Sequence, residues 1–201
     1  LEPMPDGEID CGRRPEPGIV QLDTATGRAS FLWRVPRDLE LTGPMRLRLH
    51  ASVPAGEDLP AGDVNLFVAV RKIRGVRHAG FEGSYGFSLD VVTRGWLNVG
   101  RRLPDDERST PWQPIPRHDV DQPLSAAEVV ALDVALLPSS TLFRAGDVMR
   151  LDIQGQPLFR HNLLLGQFPA NYAGSKPHTL LLHVGASYDA HLVVPILASA
   201  A

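Results

Sequence analysis

The stretch Met45-Arg46-Leu47-Arg48-Leu49-His50-Ala51 decides the fold, because its apolar residues occupy every second position. Successive side chains of a strand point to opposite faces, so this pattern predicts a half-buried β-strand. The same alternation returns in Leu132-Asp133-Val134-Ala135-Leu136 and in Met149-Arg150-Leu151-Asp152-Ile153-Gln154. Val64 to Ile73 is apolar on both faces up to Arg71, as a strand deep in a sheet must be. Leu180 to Val184 and Leu192 to Leu197 read as two closing strands, with Pro195 pushing the last toward a sheet edge.

Turn chemistry separates these runs. Thr42-Gly43-Pro44, Ala61-Gly62-Asp63 and Ala145-Gly146-Asp147 each precede a strand. Helical signal is confined to one expected turn at Leu124 to Val129. The sequence therefore predicts an all-β protein of eight to ten strands, a two-sheet β-sandwich of jelly-roll type. Residues 1–18 carry four prolines and three glycines before any apolar pattern and read as an extended arm or linker remnant. Residues 19–201 form the single sandwich domain, a length that can bury one substantial core.

Composition excludes several classes. A net charge of −3 gives no electrostatic footprint for nucleic acid. No apolar run approaches the roughly 18 residues of a membrane span, and no secretory leader is visible, so we expect a cytoplasmic protein without membrane contact. The single cysteine, Cys11, can form neither an internal disulfide nor a cysteine-based zinc site.

Constellations for catalysis are thin. A nucleophile elbow needs small residues on both sides of its serine so that a strained turn can close. Gly86-Phe87-Ser88-Leu89-Asp90 lacks the second glycine, and Ser84 has Glu82 two residues before it. His118-Asp119 and Asp189-Ala190-His191 place a carboxylate beside an imidazole, and we read both as hydrogen-bonded structural pairs. A self-sufficient enzyme would need a Ser–His pair in contact. His178, His183 and His191 lie near the last two strands without metal-ligand spacing, and Asp105-Asp106-Glu107 reads as a solvated turn. We expect no catalytic residue, no metal and no cofactor.

Aromatic placement is more informative. Trp33 and Trp96 sit inside apolar strands and are expected in the core. Trp112 lies between two prolines in Thr110-Pro111-Trp112-Gln113-Pro114, a loop that proline makes stiff. It either seals the sandwich edge or anchors a partner, with Arg108 and Gln113 beside it as further interface candidates.

An ordered set of segments carries a family resemblance over about Phe31 to Ile196. It comprises Leu39-Glu40-Leu41-Thr42-Gly43-Pro44-Met45, Asp63 to Lys72, Arg94-Gly95-Trp96-Leu97, and Glu107-Arg108-Ser109-Thr110-Pro111-Trp112. Pro138-Ser139-Ser140-Thr141-Leu142-Phe143 with Gly146, and Asp189 to Pro195, complete it. Together these resemble the C-terminal domain of the X-prolyl dipeptidyl-peptidase and cocaine-esterase-like (CocE/NonD) serine hydrolases. The resemblance implies a jelly-roll, galactose-binding-like domain that packs on an α/β-hydrolase domain of the same polypeptide and helps to enclose its active site. It also implies a domain that can contribute to homo-oligomer contacts. The family's Ser-His-Asp triad has no matching positions here. Gly100 stands where family members commonly carry a polar residue. The same fold also serves free-standing carbohydrate- or ligand-binding modules, which is the competing reading.

Overall fold

Two strands of fourteen residues form the frame of the protein. The computed structural model describes residues 16–80, 91–158, 173–185 and 187–197. Its strands are β1 (Gly18–Asp23), β2 (Arg28–Arg34), β3 (Leu39–Ser52), β4 (Asn65–Arg74), β5 (Arg77–His78), β6 (Thr93–Asn98), β7 (Val130–Phe143), β8 (Val148–Gln154), β9 (Thr179–Val184) and β10 (His191–Val193). All pair antiparallel, in the order β1-β9-β3-β7-β6-β4-β8-β2, with β10 on β3 and β5 on β4. The sheet folds over at its middle, so that β1, β9, β3 and β7 face β6, β4, β8 and β2 across one core. The protein is an all-β sandwich.

Alternation places the core as the sequence predicts. Leu39, Leu41, Met45, Leu47 and Leu49 of β3 point inward, as do Leu132, Val134 and Leu136 of β7. Leu66, Val68 and Val70 meet them from β4, with Met149, Leu151 and Ile153 from β8. Each such side chain contributes about 1.5–3 kcal/mol on burial, which makes this shared layer the main driving force for the fold.

The two sheets meet through a narrow seam. The strands β6 and β7 pair only at Gly95 with Leu136. A Cβ on Gly95 would stand 2.2 Å from the Ala135 carbonyl oxygen, so only glycine permits this approach. The Thr93 hydroxyl donates to the Leu137 carbonyl beside it. At the other margin a Cβ on Gly155 would stand 2.2 Å from the Thr24 carbonyl oxygen.

Several expectations need correction. Thr42-Gly43-Pro44 is not a turn before a strand but a bulge inside β3, with a register shift between Gly43 and Met45. Pro44 and Pro138, neither with an N–H to donate, both fall at this interruption, where the ladder demands least. Leu124 to Val129 forms no helix; Leu124 bridges Leu59 and Ala127 takes a φ of 60°. Among the described residues the helical piece is a 3-10 turn at Val99–Arg101. The last strand is shorter than expected, His191–Val193. Just beyond it the Pro195 carbonyl accepts from Thr42 N at 3.1 Å. Trp96 is not core: Gly95 and Leu97 take the inward positions of β6, so Trp96 points outward and is 43% exposed. Trp33 is partly buried and packs on the core as expected.

Gly95→Ala is expected to destabilise the protein by about 3 kcal/mol, near the top of the usual range for overpacking, since the clash is with backbone. Urea denaturation of the variant against the parent chain checks this; a loss within about 0.5 kcal/mol, typical of a neutral surface change, would show the seam to be unstrained.

Candidate functional site

The Trp112 loop is built to hold its shape. It leaves the end of β6 and closes on itself through Asp105 N to Ile115 O at 2.8 Å and Arg117 N to Leu103 O at 2.7 Å. At its tip Thr110 and Gln113 exchange backbone hydrogen bonds of 3.1 and 3.2 Å, which makes Pro111 and Trp112 the central residues of a turn. Proline presets φ at the first of these positions. The Asp105 carboxylate accepts from Glu107 N and Arg108 N at 3.2 and 3.1 Å, so the acidic run is a loop-shaping turn. Ser109 Oγ accepts from Ile115 N at 2.9 Å.

The loop is also tied to the sheet. Arg46 projects outward from β3, donates to the Pro111 carbonyl at 3.0 Å, and grips Asp133 of β7 at 2.7 and 3.0 Å. Trp112 stands 58% exposed on this platform. The three interface candidates thus share one ordered loop. Arg108 and Gln113 shape it through their backbone, and the Arg108 side chain lies 3.9 Å from Asp105.

The histidines make contacts that spacing did not reveal. Ser52 Oγ and His183 Nε2 lie 2.8 Å apart, both buried, on β3 and β9. His183 sits opposite His50 in register, and the Tyr188 ring packs against both at 4.9 and 5.3 Å. Burial, then the neighbouring His50, hold the His183 imidazole below its usual pKa and so neutral. This is a Ser–His contact, with Ser52, the last residue of β3, only 3% exposed. The Asp189 carboxylate faces His50 and Arg48, each at 3.6 Å, while His191 Nδ1 lies 2.5 Å from the Asp189 backbone carbonyl. Asp119 pairs with Arg117 at 2.9 Å and not with His118.

His178 faces Asp63 at 3.4 Å, away from the His183 cluster. Among the described residues no three His, Cys, Asp or Glu side chains converge as metal ligands would. Ser84, Ser88 and Cys11 lie outside the described residues.

The sequence reading missed a second surface, on the outward face of β2, β8 and β4. Asp152 is fully buried there beneath arginines. Arg150 Nε donates to it at 2.6 Å, Arg71 Nε at 3.0 Å and Ser30 Oγ at 2.7 Å, and Arg28 Nε stands 3.9 Å away. The signal was present as Arg150 and Asp152 at the polar positions of an alternating strand. Their convergence with Arg28 and Arg71 depends on strand order, which no local pattern encodes.

Comparison with known proteins gives a family and a fold. The family model described as the X-Pro dipeptidyl-peptidase C-terminal non-catalytic domain matches residues 14–193. No curated protein matches the chain. Two crystal structures of a CocE/NonD family hydrolase from Staphylococcus aureus are similar at 26% and 27% identity, each with a TM-score of 0.81. Each likeness covers 94% of this chain and 34% of the hydrolase chain, so this chain spans about a third of that length. An aminopeptidase from a marine sediment archaeon, Thaumarchaeota archaeon, shares the fold at 12% identity and a TM-score of 0.54, over 97% of this chain and 36% of its own.

Because His183 is held neutral in the fold, protonation favours the unfolded chain. Its contribution to stability is complete above the unfolded histidine pKa of about 6.5 and declines as pH falls below it. His183→Gln, which keeps a hydrogen-bonding group near Ser52, is expected to flatten the stability profile between about pH 7 and pH 5. Denaturation midpoints at those two pH values, for parent and variant, check this; equal slopes would contradict it.

Proposed function

The chain belongs to the family of X-Pro dipeptidyl-peptidase C-terminal non-catalytic domains, and from that premise we propose that it is the accessory domain of an α/β-hydrolase-type serine hydrolase. In this reading it packs on the catalytic domain and helps to enclose the active site, and the substrate chemistry lies wholly in the other domain. The observation that carries the reading is the match over residues 14–193, joined to a hydrolase neighbour whose chain is only 34% covered. The sandwich is of jelly-roll, galactose-binding-like type. Its two halves, in the orders β1-β9-β3-β7 and β2-β8-β4-β6, support this, because interleaved Greek keys produce such an arrangement.

Trp112 is the anchor of the interface with the hydrolase domain, with Arg108 and Gln113 at its side. What supports this is a large aromatic group held exposed on a loop whose turn, carboxylate cap and Arg46 tether have already removed its freedom. Ordering such a loop on binding costs little, and rigid aromatic groups dominate the energetics of protein interfaces.

Trp112→Ala is expected to weaken association with the hydrolase domain by about 2 kcal/mol or more, while changing the stability of this chain alone by less than about 0.5 kcal/mol. Thermal melting of the variant in both contexts measures the two effects. A loss of several kcal/mol in the chain alone would make Trp112 a structural residue and sink the interface assignment. A fluorophosphonate probe should leave Ser52 unlabelled in this chain; stoichiometric labelling would overturn the non-catalytic reading.

A further inference from the structure

We propose that the outward face of edge strand β2, with Arg150 of β8 and Arg71 of β4 beside it, is a second docking surface, and that its occupant is a carboxylate-bearing surface of the hydrolase domain. The inference rests on the accessory-domain reading above, and adds to it a place and a chemistry of contact.

Charge is the first observation. The chain as a whole is net negative, at −3. Among the described residues, Arg28 and Arg34 of β2, Arg150 of β8 and Arg71 of β4 nevertheless share one outward side of these strands with a single carboxylate, Asp152. Inward residues Ala29, Ile153 and Val68 fix that orientation by alternation. A surplus of cations on one face of an acidic protein seeks an anion, and guanidinium groups match carboxylates in planar, two-point geometry.

Preorganisation is the second. Asp152 takes the Nε protons of Arg150 and Arg71, and Ser30 Oγ accepts from the Arg150 terminal nitrogen at 3.1 Å. The side chains are therefore already held. Among the described residues Arg71 reaches Asp152 through Nε, and Arg28 Nε stands 3.9 Å from it, so Asp152 does not use their terminal nitrogens. Leu32, opposite Arg150 in register and 66% exposed, supplies apolar area next to the charges. Arginines beside exposed apolar groups are the usual composition of an interface core.

The third observation is what lies beyond the chain. In the Staphylococcus aureus hydrolase the likeness covers 34% of the polypeptide, leaving about two thirds of its length to supply a partner surface. The Trp112 loop is tethered to the outward side of the other sheet. Two surfaces on different sheets mean that the hydrolase portion reaches around this domain, beyond a single flat contact.

The test is arginine footprinting with phenylglyoxal and mass spectrometry, on this chain alone and on a polypeptide carrying it with its hydrolase domain. Oxidation of Trp112 is read on the same samples. Arg28 and Arg34 are expected to react about tenfold more slowly in the joined polypeptide, the factor that corresponds to about 1.4 kcal/mol of protection. The double variant Arg28→Gln, Arg34→Gln should lower the melting temperature of the joined polypeptide by clearly more than it lowers that of the chain alone, where Arg28 stands by Asp152 and Arg34 donates to the Gly146 carbonyl. Protection of Trp112 with equal arginine reactivity in both samples would overturn this inference and leave the accessory reading standing. Loss of both protections would overturn both. Arginine protection that grows with concentration in the chain alone would assign the face to a second copy and overturn the hydrolase occupant.

Discussion

The close approach of Gly95 to the Ala135 carbonyl is the constraint from which the rest of the structure follows. The apolar layer is common to both sheets, and at this margin a single ladder pair, Gly95 with Leu136, joins them. The absence of a side chain at Gly95 lets β6 lie against β7, and the Thr93 hydroxyl fastens the junction. The same residue sets the phase of β6. With Gly95 and Leu97 inward, Arg94 and Trp96 must face outward. The bare contact of Gly155 with Thr24 closes the opposite margin in the same way.

Carboxylates that are buried, at Asp147 and Asp152, or partly buried, at Asp133, then fix the strands in register, each serving more than one cation. Asp147 takes Arg74 at 2.9 Å and Lys72 at 3.2 Å, and these partners hold its carboxyl well below the usual carboxylate range. Asp133 takes Arg46 and Arg48, and Asp152 takes Arg71 and Arg150. An unpaired charge at such sites would cost several kcal/mol, so the clusters strongly disfavour alternative pairings. One carboxylate among several cations also leaves positive charge over, which is how a device for internal register becomes a surface feature.

The fold was legible where alternation was strong. Met45 to Ala51, Leu132 to Leu136 and Met149 to Gln154 are strands in the structure because period-two patterning survives in any strand with one buried face. The bulge at Gly43 and Pro44 was misread as a turn, since glycine and proline interrupt a ladder and end one with the same local signal. Trp96 was misplaced because an apolar strand does not announce which parity faces in; glycine at position 95 decides it through a contact across the sandwich. Of the surfaces, the Trp112 loop was readable, being local in sequence. The Ser52–His183 contact and the pairing of Arg71 with Asp152 were not, because they join residues 131 and 81 positions apart.

The central claim is that this sandwich is completed by a hydrolase domain. Backbone hydrogen–deuterium exchange of this chain, alone and joined to that domain, tests it most directly. The account predicts slower exchange in the joined form at residues 104–116 and along β2, with unchanged exchange at the core strands β3 and β7. Identical exchange in both forms would contradict it, since a domain that loses no solvent contact on being joined is not docked.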